Sequence, residues 1–262
     1  TGVQTCALPI FEGTNKKFLA DKNFLIGACP ETANPGEILR DFQKLPRLVG
    51  ATSDLTSNLI MELYKHVFPV ELLKMPDCKT ANAVKLTTNV FRDVNIAFIN
   101  ELSLLFTKLG IDTFQVLEAA KTKYNFQVHY PGAGVGGPCL PVNSYQMINI
   151  AKKHTNELKL IRISREINEL MPEHVIALTV DGFTSAKKQI SGSTILVLGI
   201  SYKPNVKDIQ LSPAEKIIEK LGQLNVNVKI YDPYYISTEV FGIKTESDRS
   251  EEHTSELQSH LN

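Results

Sequence analysis

The 262-residue chain reads as α/β, with strands and helices alternating toward both ends and a helical middle built on one long helix. Three observations lead there. "NFLIGACPE" and "PRLVGAT" on one side, and "STILVLGISY" and "NVKIYDPYY" on the other, are short apolar runs bounded by turn residues, the form of buried strands. Helical stretches stand between the members of each pair. From Lys79 to Leu109 there is neither Gly nor Pro.

In chain order, "NPGEILRDFQ" is a short helical connection. "TSNLIMELYKHVF" predicts a helix opening at Thr56 or Ser57 and stopping before Pro69. In the long helix, Val90, Val94, Ala97, Phe98, Leu102, Leu105, Phe106 and Leu109 recur at three and four, an apolar stripe. Gly110 is its natural stop. About thirty residues at ~1.5 Å rise give roughly 45 Å, more than one small domain needs. Such a helix joins two domains, packs a dimer, or does both. "DTFQVLEAAK", "YQMINIAKKH" and "IRISREINELMPEHVIALTVDGF" add further helices. "TSAKKQISG" marks a boundary near residue 185, after which "SPAEKIIEKLGQ", with Pro213 in its first turn, completes a β-α-β unit.

The ends differ from the rest. Back-translated, "TGVQTCALPI" gives a DNA stretch whose reverse complement, shifted by one base, encodes "RSEEHTSELQS". Both are therefore expected to be translated sequencing adapter and are excluded from the fold. The expected division is adapter at 1–10 and 249–262, the end of a first α/β domain at 11–75, a helical domain at 76–185 and the start of a second α/β domain at 186–248.

With 28 basic against 28 acidic residues, there is no electrostatic case for nucleic acid or an anionic membrane. No apolar run approaches the ~20 residues of a membrane span. Outside the adapter stand Cys29, Cys78 and Cys139, an odd and sparse set that argues against a disulfide framework and for a reducing, cytoplasmic setting. No metal-ligand set is picked out.

The stretch "GAGVGGPCLP", residues 132–141, carries the chemistry. Gly132, Gly134 and Gly137 have Gly-x-Gly-x-x-Gly spacing, but "QVHYP" is a weak strand and two prolines interrupt any helix there. No Lys-Ser/Thr follows, as a phosphate loop requires. A structural turn and a holder for a reactive thiol are the other two readings. For the last, Asn143 with Gln146 resembles a capping box, which would set Cys139 just before a helix N-terminus, where partial positive charge favours a thiolate.

"GVGGPCLPVNSY" resembles the cysteine motif of the UDP-glucose/GDP-mannose dehydrogenase family. So do "CPETANPGEILRDFQKLPRLVGA", "ANAVKLTTNVFRDVNIAFINEL", "LVLGISYKPNVKDIQLSPA" and "YDPY", in the family's order and spacing. The resemblance implies the end of a Rossmann-like NAD domain, a central helical domain forming a homodimer through its long helix, and the start of a second Rossmann-like domain that binds the nucleotide-sugar. It implies NAD-dependent oxidation of a primary alcohol to a carboxylate. Cys139 matches the nucleophile. Lys85 and Asn89, one helical turn apart, match groups at the sugar. Glu31 matches the carboxylate assisting thioester hydrolysis. Tyr130, Gly132, Gly134, Gly136, Gly137, Tyr202 and Lys203 match substrate contacts.

Three positions depart. Asn143 stands where the family has Asp, and an amide cannot take a proton. Gln210 stands where an arginine contacts cofactor, and Lys207 replaces an acid. No glycine fingerprint precedes "FLIGACPE", so the NAD-binding half is expected to be missing and this chain alone inactive. "PETANPG" and "PVN" lean toward the branch acting on UDP-N-acetylmannosamine, with UDP-N-acetylglucosamine, UDP-glucose and GDP-mannose as alternatives. A non-catalytic nucleotide-sugar-binding homologue is the competing class.

Overall fold

The computed structural model describes residues 24–247 apart from Pro35. The two segments read as adapter, and the expected start near Phe11 and end near Asp248, lie outside the described residues. The chain divides into two compact units between Asn89 and Val90, within a single continuous helix.

The first unit holds a three-stranded sheet: β1 (Gly27–Ala28), β2 (Arg47–Ala51) and β3 (Leu72–Lys74), in that order. All five residues of β2 are buried, as an apolar run in a central strand requires. β2 runs parallel to β3 and antiparallel to β1, so the sheet is mixed. The "FLIGA" run contributes only two ladder residues, and β3 was not anticipated, because three residues carry no readable period. Helix α1 (Ile38–Lys44) joins β1 to β2, and α2 (Asp54–Val67) joins β2 to β3. The latter starts earlier than Thr56 or Ser57. The Ser53 hydroxyl accepts the Thr56 N–H at 3.3 Å, so Ser53 is the N-cap. Phe68, extended before Pro69, ends it. Gly50 lets β2 approach the next segment: a Cβ there would lie 2.2 Å from the Asp77 carbonyl.

Helix α3 (Cys78–Leu109) is one uninterrupted element. Asp77 caps it, accepting the Thr80 N–H at 2.7 Å, and Gly110 stops it at φ +67°. Its covered face in the second unit differs from the apolar stripe. Val90 and Ala97 are buried there with Asp93, Asn100 and Ser103, whereas Phe98, Leu105 and Leu109 are about half exposed or more.

The second unit continues with α4 (Thr113–Ala120), α5 (Leu140–Lys153) and α6 (Lys159–Ser185). Pro172 sits inside α6 and is buried. Then β4 (Thr194–Leu198), α7 (Pro213–Gln223) and β5 (Asn227–Tyr231) form the expected β-α-β unit, β4 and β5 pairing in parallel along five residues. Ser212 caps α7 and Pro213 follows at its first position. A core of Ile200, Ile218, Ile230 and Val240 closes around it. A small hairpin, β6 (Glu239–Val240) with β7 (Ile243–Lys244), was not foreseen. Among the described residues no helix is long and apolar enough to cross a membrane.

Candidate active site

In the second unit, residues 131–139 run outside regular structure between α4 and α5. The glycines are there because another segment comes too close for side chains. A Cβ on Gly136 would lie 2.4 Å from the Leu211 carbonyl and 2.9 Å from Tyr202 Cβ. One on Gly137, which has φ +85°, would lie 2.7 Å from the Tyr202 ring. The Gly137 N–H donates to the Gln210 carbonyl at 2.8 Å, and the Gly132 N–H to Asn100 Oδ1 at 2.9 Å. These amides are therefore already spent within the protein. With no strand before it, the loop is not a dinucleotide cradle despite its spacing. It is a dock onto the loop that leads from β4 to α7.

Cys139 emerges from this dock as the N-cap residue of α5, exposed and free of any disulfide. The expected capping box does not form. Helix α5 begins at Leu140 with Pro141 in its first turn, so Asn143 lies inside it, 3% exposed, its backbone N–H donating to the Cys139 carbonyl at 2.9 Å. A proline's preset φ starts the helix three residues before the proposed cap. Tyr202 packs beside the loop, and burial, with the charges of Asp208 and Cys139, pushes its phenol up. Lys203 follows it, half-buried.

Gln210 contributes through its backbone: its carbonyl receives Gly137, and its N–H donates to Asp208 Oδ1 at 2.9 Å. Its side chain is exposed. The Tyr130 hydroxyl donates to Glu118 Oε1 at 3.1 Å while its ring stacks on Phe114. Tyr202 and Gln210 thus pack on the glycine loop that leads into Cys139, while Tyr130 is held on α4.

Glu31, Lys85 and Asn89 belong to the first unit. Lys85 and Asn89 are half-buried and one turn apart on α3. Glu31 Oε1 accepts Arg47 Nη1 at 2.7 Å and the Ala33 N–H at 2.6 Å. Burial pushes the Glu31 carboxyl up, but the Arg47 guanidinium and the backbone N–H outweigh it and hold the carboxyl below its ordinary value.

Sequence reasoning missed the polar residues beneath the loop: Asp93, Asn100, Ser144, Arg165 and Asn168, all 3% exposed or less. The available signal was Asp93 and Asn100, seven apart on a helix otherwise read by its apolar residues.

Residues 79–170 match the UDP-glucose/GDP-mannose dehydrogenase family, central domain, and residues 196–259 match that family's UDP binding domain. The UDP-N-acetyl-D-mannosamine dehydrogenase of Pyrococcus horikoshii is 37% identical over 216 residues, covering 82% of this chain and 51% of the relative. The UDP-N-acetyl-D-glucosamine 6-dehydrogenase of Pseudomonas aeruginosa is 30% identical over 214 residues, 82% of this chain and 50% of that one. A solved structure of the UDP-D-ManNAc dehydrogenase from Pyrococcus horikoshii superposes with a TM-score of 0.81 at 33% identity, over 89% of this chain and 55% of that one. The chain spans about half the length of the curated relatives it matches. With a central domain, a UDP binding domain and the cysteine loop docked between their segments, the chain belongs to the UDP-glucose/GDP-mannose dehydrogenase family.

Proposed function

We propose that the whole protein oxidises the C6 alcohol of a nucleotide-sugar to the carboxylate, with NAD as oxidant and UDP-N-acetylmannosamine as substrate. The observation that carries this reading is Cys139, an exposed thiol at the start of α5, displayed by a glycine loop that docks on Tyr202 and Gln210. The two names on the relatives support a UDP-N-acetylhexosamine, and "PETANPG" and "PVN" favour the mannosamine form. The reading keeps three functional regions, 11–75, 76–185 and 186–248.

Among the described residues, the one glycine set with dinucleotide spacing serves the dock. When bound, NAD supplies the acceptor for two hydrides. The balanced reaction takes one alcohol, one water and two NAD to one carboxylate, two NADH and three protons.

The chain's own groups handle the oxygen and the carbon. The Lys85 ammonium stabilises the alkoxide, and the Asn89 amide orients it. The Cys139 sulfur adds to the aldehyde carbon, forming a C–S bond while the carbonyl oxygen takes a proton. That adduct is held through oxidation to a thioester. Glu31, acting through water as a base, then helps break the C–S bond and release the thiol. Gly132, Gly134, Gly136, Gly137, Tyr130, Tyr202 and Lys203 are assigned to the substrate, and Gln210 takes the cofactor-side place of the family's arginine. Asn143, an amide, orients rather than accepts a proton. Half-exposed Phe91, Phe98, Leu105 and Leu109 on α3 support a homodimer, and the free cysteines suit a reducing cytoplasm.

The test uses the full-length gene product. UDP-N-acetylmannosamine should drive NADH formation, and Cys139→Ser should cut acid formation by at least about a thousandfold while sparing some alcohol oxidation. No NADH with native Cys139 would favour the binding-only homologue, the reading that buried Asn143 encourages. Asn143→Asp restoring turnover would then locate the loss.

A further inference from the structure

A fully buried polar network lies under the cysteine loop, and the proposed chemistry makes no use of it. Asp93 of α3 is 0% exposed. Its Oδ1 accepts Arg165 Nη1 at 2.8 Å and Asn168 Nδ2 at 2.8 Å, and its Oδ2 accepts the Ser144 hydroxyl at 2.6 Å. Asn168 Nδ2 also donates to the Asp93 backbone carbonyl at 3.0 Å, and Asn168 Oδ1 accepts Asn100 Nδ2 at 2.9 Å. Asn100 Oδ1 in turn accepts the Gly132 N–H at 2.9 Å.

Burying an ion pair is a poor way to stabilise a fold, since apolar residues of similar volume do as well or better. Its use lies in specifying one arrangement. Here the ends of the network show which arrangement. Gly132 opens the cysteine loop, and Ser144 stands on α5 five residues past Cys139. The network grips the cysteine segment on both sides. The same Asn168 adds a third contact. Pro172 has no N–H to offer the Asn168 carbonyl. Gly134 packs against that carbonyl, so closely that a Cβ would lie 3.0 Å from it.

We propose that Asp93, Asn100, Ser144 and Asn168 are positioning residues that hold Cys139 at the start of α5. The proposal rests on the reading of Cys139 as nucleophile. The four residues act through the loop and helix that carry the thiol.

This chain itself serves for the test. Iodoacetamide alkylation of Cys139 is followed peptide by peptide, with Cys29 and Cys78 as references in the same molecule. Asn100→Ala deletes the acceptor of the Gly132 N–H. The Cys139 rate at pH 7 should fall at least about fivefold, the effect of one lost buried hydrogen bond, while the two references hold. Asn100→Asp should restore it to within about twofold, because burial favours the protonated acid, which offers both an acceptor and a donor. A Cys139 rate that holds or rises, equal changes at all three thiols, or no rescue by Asn100→Asp would each overturn the proposal. Should Asn100→Ala not fold, Ser144→Ala removes a single hydroxyl and carries the same expectation. Turnover of Cys139→Ala in the full-length enzyme tests the nucleophile reading separately, since retained acid formation sinks that reading and leaves the alkylation result standing.

Discussion

Arg165 and Arg47 have equally hidden side chains, 4% exposed in both, yet the balance of charge and aromatic contact around them differs. Arg165 faces Asp93, fully buried, at 2.8 Å and Glu169 at 3.2 Å. Burial pulls its guanidinium down, and the two carboxylates more than reverse this. Arg47 has one carboxylate, Glu31, which is itself half exposed. The rest of its guanidinium lies between the rings of Phe42 and Phe68, at 4.3 and 4.7 Å from their centroids. Its Nε and Nη2 have no hydrogen-bond partner among the described residues, whereas only Nε of Arg165 lacks one. Arg165, which also lies 5.6 Å from the Tyr145 ring centroid, is met chiefly by charge, and Arg47 chiefly by aromatic faces at shorter range. The first arrangement is all-or-none, because each member of the network is a buried group that needs the others. The second is tolerant, because an aromatic slot accepts an apolar chain as readily as a cation.

Four measurements would sharpen or break that contrast. The largest effect is expected from Asp93→Ala, which strands Arg165 without its buried counter-charge and should cost about 3–5 kcal/mol in denaturant unfolding. A loss below about 1 kcal/mol would mean that water or Glu169 takes over, and the network would not be all-or-none. Phe68→Leu comes next. It removes one ring face and some packing at Arg47, for an expected loss of about 1–2 kcal/mol by the same assay. Arg47→Met should then be nearly silent, within about 1 kcal/mol, since a flexible apolar side chain fills the slot and no buried charge is left behind. A large loss there would show that the Glu31 pair, rather than the rings, secures this region.

The smallest effect concerns pH. The Glu31 carboxyl lies below its ordinary value of 4.5 in the folded chain. A depressed carboxyl contributes stability that is present above the unfolded value and lost as pH falls through the folded one. The Glu31 contribution should therefore be complete at neutral pH and fade only below about pH 4.5. Arg47→Met should move the titration upward, read as the side-chain carboxyl shift by NMR. An unmoved midpoint would assign the depression to the Ala33 N–H instead.

The same contrast explains what could be read in advance. The β4–α7–β5 unit was legible because its signals are local: two apolar runs, a serine cap and a proline at the first helical position. The long helix was legible for the same reason, being free of breakers and ended by Gly110. Strand β3 was not, since "LLK" becomes a strand only by pairing with β2. Asn143 was taken for a cap because its spacing to Gln146 is right, yet Pro141 had already started the helix. The glycine loop left three readings open, and nothing within it could choose among them. Tyr202, Gln210 and Leu211, more than sixty residues away in the chain, removed one of them, the dinucleotide cradle.

Taken by itself, then, the sequence determined that the long helix and the β4–α7–β5 unit form, and it carried the family resemblance. Those rest on propensity, periodicity and caps, which act over a few residues. Tertiary structure alone decided that the covered face of α3 mixes buried polar with apolar residues, that the glycines serve a dock, and that Asp93 and Asn100 lie beneath the cysteine loop. Those depend on which distant groups complete one another's hydrogen bonds once water is excluded, and a buried polar group and a solvated one look the same in a sequence.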